Sequence, residues 1–107
     1  MDKLLYNTLL FDFYGGLLTE KQREVYQMYF CEDLSLGEIG AGLGISRQAV
    51  SLSLKHSRRS FLDYESALGL VQQHVCAKEH VNALQKALEH RDYAESSKIL
   101  ASLGNLL

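Results

Sequence analysis

The chain lacks proline and tryptophan entirely, and among its 107 residues it has only two cysteines, Cys31 and Cys76. Because proline is the strongest helix breaker, its absence permits long helices anywhere in the sequence. Two cysteines are too few for a disulfide scaffold, and we expect both to be reduced thiols in a cytoplasmic protein. No apolar run approaches the roughly 20 residues of a membrane-spanning helix, so we expect no membrane insertion.

The residue patterns of common catalytic sites are also missing. The sequence has no glycine-rich phosphate loop, no nucleophile elbow and no paired carboxylates. His74, Cys76 and His80 lie close together in the sequence, but no fourth metal ligand is recognisable. Asp2 and Asp12, without a cleavage-site pattern, argue against a signal peptide. We therefore expect no enzymatic activity, no metal and no cofactor.

The segment Ser35–Lys55 has the spacing of a helix-turn-helix unit. Gly40 provides a small residue where the two helices approach, and Gly44 provides the permissive backbone of a tight turn. Ser46 is a good N-cap for the second helix because its hydroxyl can accept a hydrogen bond from a backbone N–H. The apolar positions fit the inner side of both helices: Ile39, Leu43, Ile45, Val50 and Leu54.

The charge of the chain is unevenly distributed. The net charge of −2 argues against indiscriminate binding to nucleic acid. Residues 39–62, however, contain four basic side chains and no acidic one, so this window carries +4 and the rest of the chain −6. A basic stripe on a mildly acidic body is typical of nucleic-acid-binding proteins, although an ordinary solvated helix face is the alternative explanation.

The outer face of the second helix carries the predicted DNA-binding residues. They are Ser46, Arg47, Gln48, Ser51, Lys55, Arg58 and Arg59. Arg47 can donate two hydrogen bonds to guanine or contact a phosphate, and Gln48 can pair with adenine. The short hydroxyls suit phosphates or base edges, and the basic residues further along suit the DNA backbone.

Two features of this face leave alternatives open. Arg59 and Asp63 are four residues apart on one helix, so the two late arginines could instead form surface ion pairs with Asp63 and Glu65. Leu52 could contact a thymine methyl group, or it could belong to a protein-docking surface. The second possibility favours an interaction module that does not read DNA.

Helical spacing and capping residues predict an all-α chain. Thr19 with Gln22, and Ser35 with Glu38, have the spacing of capping boxes at the starts of two helices. Further apolar periodicity predicts one long helix and two shorter packing helices. The predicted helices span residues 2–14, 20 to about 31, 47 to about 73, about 77 to 90 and about 93 to 103, with a short helix capped by Ser35 as the third in order.

The long helix carries an apolar seam with a 3.5-residue repeat, the period of coiled coils. The seam consists of Val50, Leu54, Ser57, Phe61, Tyr64, Leu68, Val71 and Val75. We expect the seam to be covered either by the C-terminal helices or by the same helix of a second chain. The second possibility leads us to predict a homodimer. The predicted organisation is a helix-turn-helix domain over residues 1–62 and a helical extension over residues 63–107, packed on that domain or on a second subunit.

Two stretches resemble a known family. Residues 11–22 (FDFYGGLLTEKQ) and residues 46–50 (SRQAV) resemble the bacterial YlxM family of small helix-turn-helix proteins over roughly the first 65 residues. The same stretches also resemble the fourth region of sigma factors, the promoter-reading domain. The resemblance implies a DNA-binding regulator associated with the signal recognition particle pathway, with components of that particle as possible partners. The alternative is a protein or ribonucleoprotein interaction module of the targeting machinery.

Overall fold

The structure is a computed structural model that describes residues 2–107. The described residues form six α-helices and no strand, which confirms the all-α prediction. The helices are α1 (Lys3–Tyr14), α2 (Glu20–Phe30), α3 (Leu36–Leu43), α4 (Arg47–Leu68), α5 (Leu70–Glu89) and α6 (Tyr93–Leu106), with a short 3-10 helix (Gly15–Leu17) after α1. The chain divides into two compact units, Met1–Leu68 and Gly69–Leu107.

Both predicted capping boxes are present. The Oγ1 of Thr19 accepts a hydrogen bond from the backbone N–H of Gln22, whose Oε1 accepts one from the N–H of Thr19, both at 3.2 Å. Ser35 and Glu38 exchange the equivalent pair at 3.1 and 3.2 Å at the start of α3. These bonds satisfy N–H groups that a helix start otherwise leaves unpaired, so the side chains fix where α2 and α3 begin.

The core of the first unit is built around aromatic rings from three helices. Tyr26 of α2 stacks on Phe11 of α1 with ring centroids 5.2 Å apart, and its ring meets Phe61 of α4 edge-on at 5.0 Å. Leu10 and Tyr14 of α1 are completely buried in the same unit. Such contacts bury large apolar areas, so they hold α1, α2 and α4 together.

A second part of this core joins the helix-turn-helix to α2. Val25, Ile39 and Val50 form a cluster without solvent exposure, one residue from each of α2, α3 and α4. We call it the α2–α3–α4 cluster. Its aliphatic side chains orient α4 relative to α3, as the apolar spacing of the sequence predicts.

The prediction of a continuous helix to about residue 73 is wrong. Helix α4 ends at Leu68, and Gly69 takes a left-handed conformation with φ 63° before α5 begins at Leu70. Glycine adopts a left-handed conformation at little cost in free energy, whereas in the middle of a helix it is less favourable than any residue except proline. The prediction that the next helix starts near residue 77 is wrong for the same reason.

The first part of the predicted seam is covered within its own unit. Val50, Ser57 and Phe61 have no exposed surface, and α4 packs against α1, α2 and α3. These three seam positions are therefore covered by the first three helices, and the prediction that the C-terminal helices or a second chain would cover them is wrong. Leu68, by contrast, is 58% exposed where α4 ends.

The second unit is an antiparallel pair of helices. Asp92 caps α6, because its Oδ1 accepts a hydrogen bond from the N–H of Glu95 at 3.0 Å. The Nε2 of Gln73, near the start of α5, donates to the carbonyl of Leu106 at the end of α6 at 3.2 Å. Apolar side chains remain exposed on both helices: Val81, Leu88, Tyr93 and Leu100.

Candidate nucleic-acid interface

The turn between α3 and α4 depends on two glycines. A Cβ atom on Gly40 would lie only 2.7 Å from the carbonyl oxygen of Ile45, so no larger residue fits without moving the backbone. Gly44 ends α3 in a left-handed conformation with φ 70°. The N–H of Ile45 then donates to the carbonyl of Gly40 at 3.0 Å, which closes the turn. Both roles agree with the sequence prediction.

The start of α4 is capped and projects from the turn. The Oγ of Ser46 accepts a hydrogen bond from the N–H of Ala49 at 3.0 Å. Arg47 and Gln48 occupy the first turn of α4 and are exposed, whereas Val50 is completely buried. The first turn of α4 thus presents one basic and one amide side chain to solvent from a helix anchored by its inner face.

Six of the seven predicted DNA-binding residues are exposed, and we call the five nearest the turn the α4 tip. It consists of Ser46, Arg47, Gln48, Ser51 and Lys55. Leu52 lies on the same exposed side and is 54% exposed. Because unpaired N–H groups and the positive end of the helix dipole also lie at this end of α4, the α4 tip suits an anionic partner.

The two remaining predicted residues have different environments. Arg59 is exposed, but Arg58 is half-buried, and its Nη1 donates a 2.7 Å hydrogen bond to the Oδ1 of Asn7 in α1. Asn7 is only 4% exposed, and its backbone carbonyl accepts a hydrogen bond from the Tyr26 hydroxyl at 3.4 Å. Arg58 therefore contributes to the join between α1 and α4 as well as to the positive charge of the surface.

Sequence reasoning missed Asn7. The residue lies three positions before Leu10 and seven before Tyr14, and all three are buried on the same face of α1. A polar residue at a buried helical position needs a hydrogen-bond partner, and this signal was present in the sequence. The identity of that partner depends on a contact between residues 51 positions apart.

Burial changes the acidity of the tyrosine at the centre of the core. Desolvation raises the pKa of Tyr26 from 10.0 to about 12, and the positive charge of Arg58 partly opposes this rise. The phenolate form is unfavourable because it would be charged away from water. Tyr26 is thus a neutral core residue that donates a hydrogen bond.

The candidate metal ligands of the sequence, His74, Cys76 and His80, all lie in the second unit. The Nδ1 of His80 lies 2.7 Å from the carbonyl oxygen of Cys76, one helical turn earlier. Within residues 2–107, no group of three or more His, Cys, Asp or Glu side chains is arranged to hold a metal ion. In the same range, none of the helices combines the length and the apolar character needed to cross a bilayer.

The capped helices, the glycine turn and the anchored second helix define a helix-turn-helix protein. Comparison with known sequences identifies the family. Residues 1–100 match the family described as "Putative helix-turn-helix protein, YlxM / p13 like", UPF0122. The chain belongs to this family, and the match extends well beyond the roughly 65 residues that carry the resemblance in the sequence.

Relatives with the same family name cover most of the chain. A UPF0122 protein of Caldanaerobacter subterraneus subsp. tengcongensis is 49% identical over 88 residues, which are 82% of this chain and 73% of the relative. One of Symbiobacterium thermophilum is 43% identical over 95 residues, 89% of each chain. One of Halalkalibacterium halodurans is 38% identical over 106 residues, 99% of this chain and 95% of the relative.

Proposed function

We propose that this protein is a DNA-binding regulator that inserts the first turn of α4 into the major groove. The observation that carries the proposal is the α4 tip, a set of exposed side chains on a capped helix whose inner face is anchored in the core. Arg47 contacts guanine or a phosphate, and Gln48 contacts adenine. Ser46 and Ser51 are short donors beside them.

The basic residues along α4 supply affinity that does not depend on sequence. Lys55 and Arg59 are exposed and free to reach phosphates on either side of the groove. Arg58 adds charge at the same surface, but its bond to Asn7 restricts its reach. Because residues 39–62 contain no acidic side chain, no carboxylate of this segment opposes a phosphate.

A homodimer is part of this proposal. The apolar seam of α4 predicted it from the sequence, but its structural support comes from the second unit. The second unit has about 40 residues, a size at which a helical pair rarely buries enough apolar surface to be stable alone. Val81, Leu88 and Leu100 are each about half exposed on it. In the proposed dimer these residues pack against a second copy, and two α4 helices about 34 Å apart read two half-sites.

The family resemblance adds a proposed place of action, the signal recognition particle pathway in the cytoplasm. Components of that particle are proposed partners, and catalysis is not part of the proposed role. A tagged copy of the chain that retains the particle's protein or RNA at physiological salt supports this proposal. Retention that equals that of an unrelated helix-turn-helix protein contradicts it.

The second candidate function is a protein or ribonucleoprotein interaction module that does not read DNA. The observation that favours it is Leu52, whose side chain is 54% exposed among the polar residues of the α4 tip. Large exposed apolar side chains in such a position are typical of interfaces with proteins. The two functions differ in their response to salt, because contacts with phosphates weaken steeply as salt rises.

Selection of bound sequences from random DNA tests the main proposal. The wild-type chain should enrich a defined motif, and an Arg47→Ala, Gln48→Ala double variant should not. A Leu52→Ala variant serves as the comparison for the interaction module. An unenriched pool from the wild-type chain would place the interaction module first.

A further inference from the structure

A groove of about 340 Å³ lies beside the α4 tip, between the end of α2, the start of α3 and the middle of α4. Four apolar side chains line it, namely Tyr29, Phe30, Leu36 and Leu54. We call it the α2–α4 groove. Concave apolar surfaces of this size accommodate one or two large side chains of a ligand.

The walls of the groove are held by the core. The Phe30 ring packs against the buried Tyr26 ring with centroids 4.4 Å apart, and Tyr29 meets Phe30 edge-on at 5.0 Å. Leu36 and Leu54 pack against the α2–α3–α4 cluster. Because these side chains are already fixed, a ligand that enters the groove orders little of the protein.

The polar part of the groove is positive. Lys55 and Arg58 line it together with Ser51, and no acidic residue is among the lining residues. A second hollow of about 400 Å³ shares Lys55 and Arg58 and is also lined by Arg59, Leu62 and Asp63. Three cationic side chains thus surround a strip that holds a single carboxylate and continues to Leu62, which is 42% exposed.

We infer that the α2–α4 groove binds an acidic amphipathic segment of a partner protein. A large apolar side chain of that segment enters between Phe30 and Leu54, and carboxylates beside it pair with Lys55 and Arg59. Charge complementarity selects an acidic partner and disfavours a basic one. Leu36 and Leu54 line the groove beside the two aromatic rings. Aliphatic lining of this kind suits a protein side chain, whereas bases are usually bound by stacking on open aromatic faces.

The groove shares Ser51, Lys55 and Arg58 with the proposed DNA surface, but its four apolar residues lie outside that surface, so peptide binding and DNA binding can be tested separately. The test uses the full chain and a labelled helical peptide with Phe and Leu one turn apart, flanked by Glu. Two matched peptides replace the Glu residues by Gln or by Lys. Fluorescence anisotropy measures the three affinities for the native protein.

The Glu peptide should bind at least about tenfold more tightly than the Gln peptide at low salt, and the Lys peptide should not bind. Tyr29→Ala in the groove and Leu62→Ala in the adjoining hollow should each weaken binding of the Glu peptide about fivefold or more. Lys21→Ala, which removes an exposed cation outside both hollows, should leave the affinity unchanged. Circular dichroism verifies that the variants are folded.

Three results overturn the inference. One is the absence of saturable binding by the Glu peptide to the native protein. Another is equal affinity for the three peptides, which shows that charge does not select the ligand. The third is tighter binding of a single-stranded RNA oligonucleotide than of the Glu peptide, with an RNA affinity that falls in Tyr29→Ala. That result would assign the groove to RNA.

Discussion

Arg58 of α4 donates a 2.7 Å hydrogen bond from its Nη1 to the Oδ1 of Asn7 in α1. The two residues are 51 positions apart, and Asn7 is nearly inaccessible to solvent. A residue that the sequence assigns to a DNA surface thus also joins the first and fourth helices. Hydrogen bonds from a charged donor to a buried acceptor are among the stronger ones in proteins.

This bond predicts that Arg58→Ala lowers the free energy of unfolding by about 1–3 kcal/mol, because the buried Asn7 amide loses its charged partner. Arg59→Ala is the matched control, since Arg59 is exposed and should change stability by no more than about 0.5 kcal/mol. Urea denaturation followed by circular dichroism measures both. Equal effects of the two substitutions would show that the bond does not contribute to stability.

The close approach at the turn predicts that Gly40→Ala lowers the free energy of unfolding by about 1–3 kcal/mol, since the added Cβ would meet the Ile45 carbonyl at 2.7 Å. Gly42 of the same helix is the control. A Cβ there meets only the end of Met28 at 3.8 Å, so Gly42→Ala should stabilise the protein by up to about 1 kcal/mol. Thermal denaturation of both variants checks that the two substitutions change the free energy of unfolding in opposite directions. If Gly40→Ala were as stable as the wild type, α3 and the turn before α4 could move apart without cost.

The Ser57 hydroxyl is completely buried and has no hydrogen-bond partner within residues 2–107. Because a buried hydroxyl without a partner costs free energy, Ser57→Ala should raise the free energy of unfolding by about 1 kcal/mol. Ser66→Ala, at an exposed position of α4, reports the gain in helix propensity alone. If Ser57→Ala stabilises no more than Ser66→Ala, the hydroxyl is satisfied in solution.

The raised pKa of Tyr26 predicts a loss of stability in alkali. The unfolded chain releases this proton near pH 10.0 and the folded chain near pH 12, so the folded state holds more protons between these values. The free energy of unfolding should therefore fall as the pH rises through this window, by an amount on the order of 2 kcal/mol, and should be unaffected by this group below it.

Denaturation at several alkaline pH values measures this loss. A Tyr26→Phe variant should show a flatter pH dependence than the wild type over the same window. Tyr93→Phe, at a position that is 66% exposed, should keep the wild-type dependence. Parallel curves for the wild type and Tyr26→Phe would contradict the burial of the phenol.

The parts of this fold that could be predicted from the sequence are those with local causes. The serine and threonine caps act on N–H groups three residues away, and Gly44 acts on its own backbone, so neighbouring residues contain the information. The extent of α4 could not be predicted, because Gly69 tolerates both a helical and a left-handed conformation, so its residue type does not fix where the helix ends.

In the candidate site, too, features with local causes could be predicted and features that depend on distant contacts could not. The exposure of Arg47 and Gln48 follows from the helical period once Val50 is placed inside. The bond between Arg58 and Asn7 and the α2–α4 groove depend on contacts between distant segments, which the period does not encode. A polar residue on the apolar face of α1 was the one local sign that such a contact exists.

The affinity of the full chain for a duplex recovered by selection, measured across a series of salt concentrations, tests DNA reading by α4 most directly. We expect the logarithm of the association constant to fall linearly with the logarithm of salt, and Arg47→Ala to weaken binding by about five- to 150-fold at fixed salt. Affinity that is insensitive to salt, and equal for Arg47→Ala and the wild type, would contradict DNA reading by α4.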